Sequence, residues 1–172
     1  ALHGLEHPAR RMLQGNVLAR IRDRIPNVTL RTTFIVGFPG ETDADFAELC
    51  DFVDAEQFDR VGVFTYYPEE GTPAATLAGQ VDEKVKKARQ KELMKRQAVI
   101  SRRKNKALVG TEATVLVDGP SKESPLVLVG RLATQAPDVD GQVWLTETDE
   151  SVKAGQMRRV RLTKATAHDL VG

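Results

Sequence analysis

The segment from Leu30 to Thr42, LRTTFIVGFPGET, constrains the fold of this chain more than any other. Its first half is β-branched and aromatic, which is typical of a strand, and Gly37-Phe38-Pro39-Gly40 is a predicted turn. An amphipathic pattern begins directly after Thr42, so the segment predicts a strand, a tight turn and a helix. Ligands of α/β proteins bind where strand ends and helix N termini meet, and we expect a binding site here.

A second strand and a long helix repeat this pattern. Thr29 to Val36 is nearly continuous apolar and β-branched, which predicts a parallel strand covered on both faces. Arg60 to Tyr66 is the next predicted strand, and Glu83 to Leu108 is the helix that follows it. A two-stranded parallel sheet is a poor independent domain, so residues 1–106 are interpreted as part of a larger α/β barrel.

The helix after the turn has a clear start and a clear buried side. Thr42 with Asp45 three positions later predicts a capping box. The apolar stripe predicted for this helix is Phe46, Leu49, Cys50 and Val53. Cys50 is therefore interpreted as a structural thiol rather than a reactive one.

Composition narrows the class of protein. With 41% hydrophobic and 28% charged residues in 172, the chain predicts an ordered globular protein. It has no apolar run of 18 residues and no signal-like N terminus, so neither membrane insertion nor secretion is predicted. A single cysteine excludes an internal disulfide and fits a reducing compartment, which predicts a cytoplasmic location.

After Gly110 the periodicity changes to short strands. Four are predicted, and they are separated by Gly- and Pro-containing turns: Glu112–Val117, Leu126–Arg131, Gln142–Thr146 and Arg158–Leu162. Strands of this number and length predict a small antiparallel barrel of the oligonucleotide-binding size. The fold class is thus α/β followed by all-β.

Charge is distributed unevenly along the chain. From Asp82 to Lys106 there are eleven basic residues against three acidic ones, whereas residues 107–172 have seven basic and nine acidic. The basic face of helix 83–106 is interpreted either as solvated or as a contact for RNA. The acid-rich barrel, with Trp144 as its one aromatic residue, suits a basic protein partner better than stacking on single strands.

Two motifs resemble a known family. TTFIVGFPGET and FDRVGVFTYYPEEGTPAA, from Phe58 to Ala75, resemble the second half of the radical S-adenosylmethionine methylthiotransferases, with the closest likeness to the RimO type. Those enzymes place a methylthio group on an aspartate of a small-subunit ribosomal protein. The resemblance covers residues 28–172 and the ending HDLVG. It implies the end of a radical S-adenosylmethionine barrel in residues 1–106 and a TRAM domain in residues 107–172.

The resemblance also implies cofactors, site residues and partners. The complete enzymes use S-adenosylmethionine and four-iron four-sulfur clusters. Ile35 would contact the adenine, Gly37 would allow close approach, and Val63 and Phe64 would touch the same ring. Ile35, Val63 and Phe64 fit a plain core equally well. No catalytic residue is assigned. The family's CxxxCxxC motif is absent from this sequence, which implies that the chain alone is inactive. The implied partner is a ribosomal small-subunit protein, bound through the TRAM domain.

Other interpretations are weaker or remain as alternatives. GFPGET lacks the lysine of a P-loop, and neither a G-x-G-x-x-G motif nor a nucleophile elbow is present. His3 and His7 share a helix spacing but lack a third ligand, so no metal site is predicted. A tRNA adenosine methylthiotransferase and a non-catalytic module that binds RNA or the ribosome remain the two alternative functions.

Overall fold

The computed structural model describes residues 17–146, 148 and 151–172, so His3 and His7 lie outside the described residues. Helix α1 covers residues 17–24. The elements that follow are β1 (Arg31–Val36), α2 (Asp43–Glu56), β2 (Arg60–Thr65), a 3-10 turn (Pro73–Thr76), α3 (Glu83–Leu108), β3 (Glu112–Pro120), β4 (Leu128–Leu132), β5 (Val143–Leu145), β6 (Met157–Arg161), β7 (Lys164–Ala165) and β8 (Leu170–Val171). This order confirms the predicted class of α/β followed by all-β.

The chain divides into two compact units, Ala1–Gln97 and Ala98–Gly172. The division falls within α3, which is continuous from Glu83 to Leu108 as predicted. The domain boundary predicted between residues 106 and 107 stays a prediction.

Strands β1 and β2 form a two-stranded parallel sheet in the first unit. One face is apolar and buried: Val36, Val61 and Val63 are at most 9% exposed. On this side the Phe34 ring also makes edge contacts with the rings of Phe52 and Phe58, at centroid distances of 6.4 and 6.2 Å.

The other face of the sheet is open, and the prediction that this strand is covered on both faces was wrong. The burial of β1 alternates, so that every second side chain is exposed: Arg31, Thr33 and Ile35. Alternate residues of a strand point to opposite faces. Within the described residues no element packs over this second face.

Helix α2 begins as predicted. The Asp45 amide donates to Thr42 Oγ1 at 3.2 Å, and the Thr42 amide donates to Asp45 Oδ2 at 2.8 Å, which completes the capping box. Cys50 is buried, as predicted for a structural thiol. Burial raises the pKa of this thiol, and the thiol therefore stays protonated at neutral pH.

The buried side of α3 is unusually polar. Leu93 and Ile100 are buried, but so are five polar residues: Lys86, Arg89, Gln97, Ser101 and Asn105. The apolar Val85, Met94 and Val99 are instead between 38% and 66% exposed. The buried side of α3 therefore depends on specific hydrogen bonds as well as on apolar area.

The second unit is a six-stranded sheet in the order β6-β3-β4-β5-β8-β7. All neighbouring strands are antiparallel except β5 and β8, which are parallel. The sheet is therefore mixed, whereas the sequence predicted an antiparallel one. Its core contains six buried apolar residues: Val115, Val117, Val143, Leu145, Leu162 and Leu170. Strands β7 and β8 have two residues each, and such short strands show no periodicity in a sequence.

Candidate functional site

Two large apolar side chains lie together on the open face of the β1–β2 sheet. Ile35 and Phe64 are register partners, and they are 60% and 62% exposed. Two residues earlier on the same face, Thr33 pairs with Gly62, which has no side chain to cover the neighbouring Phe64 ring. The result is an exposed apolar surface at the C-terminal end of both strands.

The other two predicted site residues are placed differently. The Val63 side chain is only 6% exposed and lies on the opposite face of β2, and its carbonyl accepts a hydrogen bond from Gln90 Nε2 at 2.7 Å. Gly37 is buried at the end of β1. Its amide donates to Glu41 Oε2 at 3.0 Å. The structure thus brings Ile35 and Phe64 together, while Gly37 belongs to the turn and Val63 to the core.

An ion pair network holds the turn after β1. Arg89 Nη1 donates to Glu41 Oε1 at 2.6 Å, and Arg89 Nη2 donates to Asp43 Oδ1 at 2.7 Å. The side chains of Arg89 and Glu41 are only 7% and 14% exposed, whereas that of Asp43 is 98% exposed. Burial lowers the pKa of Arg89, but hydrogen bonds and charge from Asp43 and Glu41 outweigh it, and the pKa is raised overall. Arg89 therefore stays charged and fixes Glu41 against the Gly37 amide.

Lys86 is the second buried cation beside this turn. Its side chain is 3% exposed, and its Nζ donates to Glu83 Oε1 at 2.6 Å. The same Nζ lies 5.3 Å from the centre of the Tyr66 ring, which adds a cation–π contact. The aliphatic part of Lys86 passes directly over Gly37, where a Cβ would approach Lys86 Cγ to 2.3 Å. The glycine is thus needed for contact with α3.

Sequence reasoning missed both Lys86 and Arg89 as parts of the site. Charged residues on a helix are normally solvated, so neither was expected to be buried. The available signal was spacing, because Lys86 and Arg89 lie seven and four residues before the buried Leu93 on one helix face. That signal is weak without knowledge of the acidic partner, Glu41, which precedes Arg89 by 48 residues.

The second unit contains a polar cleft of about 490 Å³. Its charged lining residues are four acidic and two basic: Asp118, Glu123, Asp138 and Asp140, with Lys122 and Arg131. Arg131 pairs with Asp118, and Lys122 lies 3.5 Å from Asp138. Subtracting two positive from four negative charges leaves the cleft with a formal charge of −2.

The part of the chain that the structure describes shows no cluster of three or more His, Cys, Asp or Glu side chains arranged to hold a metal ion. None of the described helices is both long enough and apolar enough to cross a membrane.

Comparison with known proteins assigns residues 109–172 to the TRAM domain family. Over 91% of the chain, the sequence is 54% identical to the ribosomal protein uS12 methylthiotransferase RimO of Syntrophotalea carbinolica and 51% identical to that of Geobacter sulfurreducens. The RimO protein of Sorangium cellulosum is 46% identical over 99% of the chain.

The chain spans about a third of the length of these curated relatives, between 34% and 36%. The similarity includes both the strand–turn–helix segment and the TRAM region, because each alignment covers at least nine tenths of the chain.

Proposed function

We propose that this chain is part of a RimO-type methylthiotransferase and that it takes part in the transfer of a methylthio group to an aspartate of ribosomal protein uS12. The identity of about one half across nine tenths of the chain supports this function over a tRNA-directed one. In this proposal residues 1–106 form one side of the S-adenosylmethionine pocket, and residues 107–172 form the TRAM domain that contacts the protein substrate.

The open apolar pair Ile35 and Phe64 is the observation that carries the pocket assignment. An adenine ring has apolar faces, and two adjacent exposed side chains of this kind offer it a surface from which water is displaced. Gly62 leaves the area beside the Phe64 ring free of a Cβ. We assign Ile35 and Phe64 to side-chain contacts, Val63 to a backbone role, and Gly37 to the turn that ends the pocket.

The network around Glu41 would keep this pocket in shape before a ligand arrives. Arg89 fixes the Glu41 carboxylate, which in turn fixes the Gly37 amide at the end of β1. A loop held by buried, charge-assisted hydrogen bonds loses little conformational freedom on binding. The chain's own contribution is therefore to bind and orient the nucleoside part of the cofactor.

The donor atoms of this chain do not fit an iron–sulfur cluster. Such clusters usually need three or four thiolates, whereas Cys50 is the single cysteine and is buried with a raised pKa. In the family that the sequence resembles, the cluster supplies the electron that cleaves S-adenosylmethionine. We assign no step of that chemistry to residues of this chain.

The acid-lined cleft of the second unit is the proposed contact for uS12. A formal charge of −2 favours a basic protein segment and disfavours a nucleic acid phosphate. Neutralising two acids in the double variant Glu123→Gln/Asp138→Asn should weaken binding of purified uS12 several-fold at low salt. The matched pair Asp51→Asn/Glu112→Gln, exposed but outside the cleft, should not. Equal losses in the two double variants would contradict the assignment.

The function is tested by mapping the product in cells that express the gene encoding this sequence and lack their own enzyme. We expect a methylthio group on an aspartate of uS12, detected by peptide mass spectrometry. The Ile35→Asp variant should require at least about tenfold more S-adenosylmethionine for half-maximal modification, because a charge replaces an apolar contact that is worth more than about 1.4 kcal/mol.

The control is Leu126→Asp, since Leu126 is 90% exposed in the second unit and the change in chemistry is the same. Both variants should retain the unfolding temperature of the parent protein. A methylthio group found only on tRNA adenosine would refute the substrate assignment. An unchanged S-adenosylmethionine requirement in Ile35→Asp would refute the pocket assignment alone.

A further inference from the structure

One face of α3 presents four exposed lysines in a row. We call Lys84, Lys87, Lys91 and Lys95 the basic stripe. At about 100° per residue their side chains fall within an arc about 80° wide, and successive members rise about 4.5 to 6 Å along the helix. The stripe is therefore a straight line of positive charge about 16 Å long, all within the first unit.

The basic stripe differs from Lys86, Arg89 and Arg96 of the same helix, whose charges are paired with acidic residues. Lys86 pairs with Glu83, Arg89 with Glu41 and Asp43, and Arg96 with Glu92 and Asp54. In the part of the chain that the structure describes, no ion pair forms to any of the four stripe lysines. Four like charges at this spacing repel one another, so they cost stability unless a polyanion binds to them.

The opposite side of the helix holds the stripe in place. Gln90 Nε2 donates to the Val63 carbonyl at 2.7 Å, and Gln97 Nε2 donates to the Phe58 carbonyl at 3.0 Å. Leu93 between them is fully buried. Because this side is anchored to the sheet, the stripe faces outward as a fixed array, and binding does not have to order the backbone first.

We propose that the basic stripe binds the phosphate backbone of RNA. The charge and the spacing of the stripe suit this ligand, because phosphates form a regular line of negative charge. A lysine is a compact cation that contacts phosphates without reading the base sequence. The choice of RNA over another polyanion rests on the proposed function, because a protein that modifies a ribosomal protein works on or near an RNA-rich particle. A membrane surface fits less well, because the arc of the four lysines contains no large apolar side chain to enter a bilayer, and the exposed Met94 and Val99 lie outside this arc.

The test measures binding of this chain to a fluorescently labelled RNA duplex of mixed sequence by anisotropy, at several salt concentrations. The triple variant Lys87→Gln/Lys91→Gln/Lys95→Gln should bind at least about tenfold more weakly, and the slope of log affinity against log salt should fall by about 2 to 3. The matched control, Lys122→Gln/Lys153→Gln/Lys164→Gln, removes the same charge from exposed lysines of the second unit and should bind within about twofold of the parent.

Three outcomes would overturn the proposal: unchanged RNA affinity in the stripe variant, an equal loss in the control, or tighter binding of the parent chain to phosphatidylserine vesicles than to the duplex. Circular dichroism should show unchanged helix content, because glutamine is a good helix former and all three lysines are exposed. The binding result does not depend on enzymatic turnover. A negative result for RNA binding therefore leaves the test of uS12 modification unaffected. A negative result for uS12 modification likewise leaves the RNA-binding result unaffected.

Discussion

Replacing Arg89 with leucine is expected to lower the free energy of unfolding of the first unit by about 3 to 5 kcal/mol. Leucine fills part of the space but leaves the Glu41 carboxylate, only 14% exposed, without its cation. A buried charge that loses its partner must either remain unpaired or take up a proton, and both are costly. The change should be measured by urea denaturation followed by circular dichroism, with hydrogen exchange to locate the loss at β1 and α2.

Two further variants separate the buried contact from the exposed one. Asp43→Asn removes the other acid that Arg89 contacts, but Asp43 is 98% exposed, so its loss should be small beside that of Arg89→Leu. Adding Glu41→Gln to Arg89→Leu should recover a large part of the loss, because the glutamine is neutral and its oxygen still accepts from the Gly37 amide. If Arg89→Leu cost no more than Asp43→Asn, the buried pair would not be what holds the turn.

Local sequence signals were sufficient to predict the elements of the first unit. Thr42 and Asp45 form the capping box because both partners lie within four residues, and a contact that short is visible in the sequence. The bounds of α3 were predicted to the residue, since a long polar helix without internal Gly or Pro is interrupted only at its ends. The parallel pairing of β1 and β2 also follows from the helix between them.

Burial on α3 could not be predicted, because it depends on partners far away in the chain. The helix contains apolar Val85, Met94 and Val99, yet these lie at least partly in solvent while Lys86 and Arg89 are buried. Only the tertiary contacts to Glu41 and Gly37 make a buried cation favourable there. Periodicity reports which side chains are apolar, whereas burial also depends on which polar groups find a partner.

In the candidate site, too, the sequence predicted the location but not the burial of each residue. The sequence predicted a ligand site at the strand ends, and Ile35 and Phe64 lie together there. It did not assign faces, because the apolar residues Phe34, Ile35 and Val36 follow one another in β1 and give no alternation. Only the structure shows that Ile35 lies on the open face and Val63 in the core. Of these two side chains, only that of Ile35 is accessible to a ligand.

Replacing Gly37 with alanine is expected to cost about 3 kcal/mol, from two independent sources. Gly37 has φ of +77°, a conformation that costs a residue with a Cβ about 1 to 2 kcal/mol. The new Cβ would also lie 2.3 Å from Lys86 Cγ and 3.1 Å from Lys86 Cδ, and these atoms cannot move aside freely because the lysine is buried. Urea denaturation should show the loss, and hydrogen exchange should place it where β1 meets α3.

Gly40→Ala separates the backbone cost from the steric clash with Lys86. Gly40 has a similar φ of +85°, but no atom lies within 4 Å of its would-be Cβ. It should therefore show the backbone cost alone, about 1 to 2 kcal/mol. The double variant Gly37→Ala/Lys86→Ala should differ from Lys86→Ala by little more than this backbone cost, since the contacts to Lys86 Cγ and Cδ are removed and only the one to Cβ, at 3.2 Å, is left. Equal losses in Gly37→Ala and Gly40→Ala would mean that the approach of Lys86 does not require glycine. A larger loss at Gly37 would mean that glycine is selected there by contact with α3, so that a motif at the end of a strand is fixed by a helix more than 40 residues away.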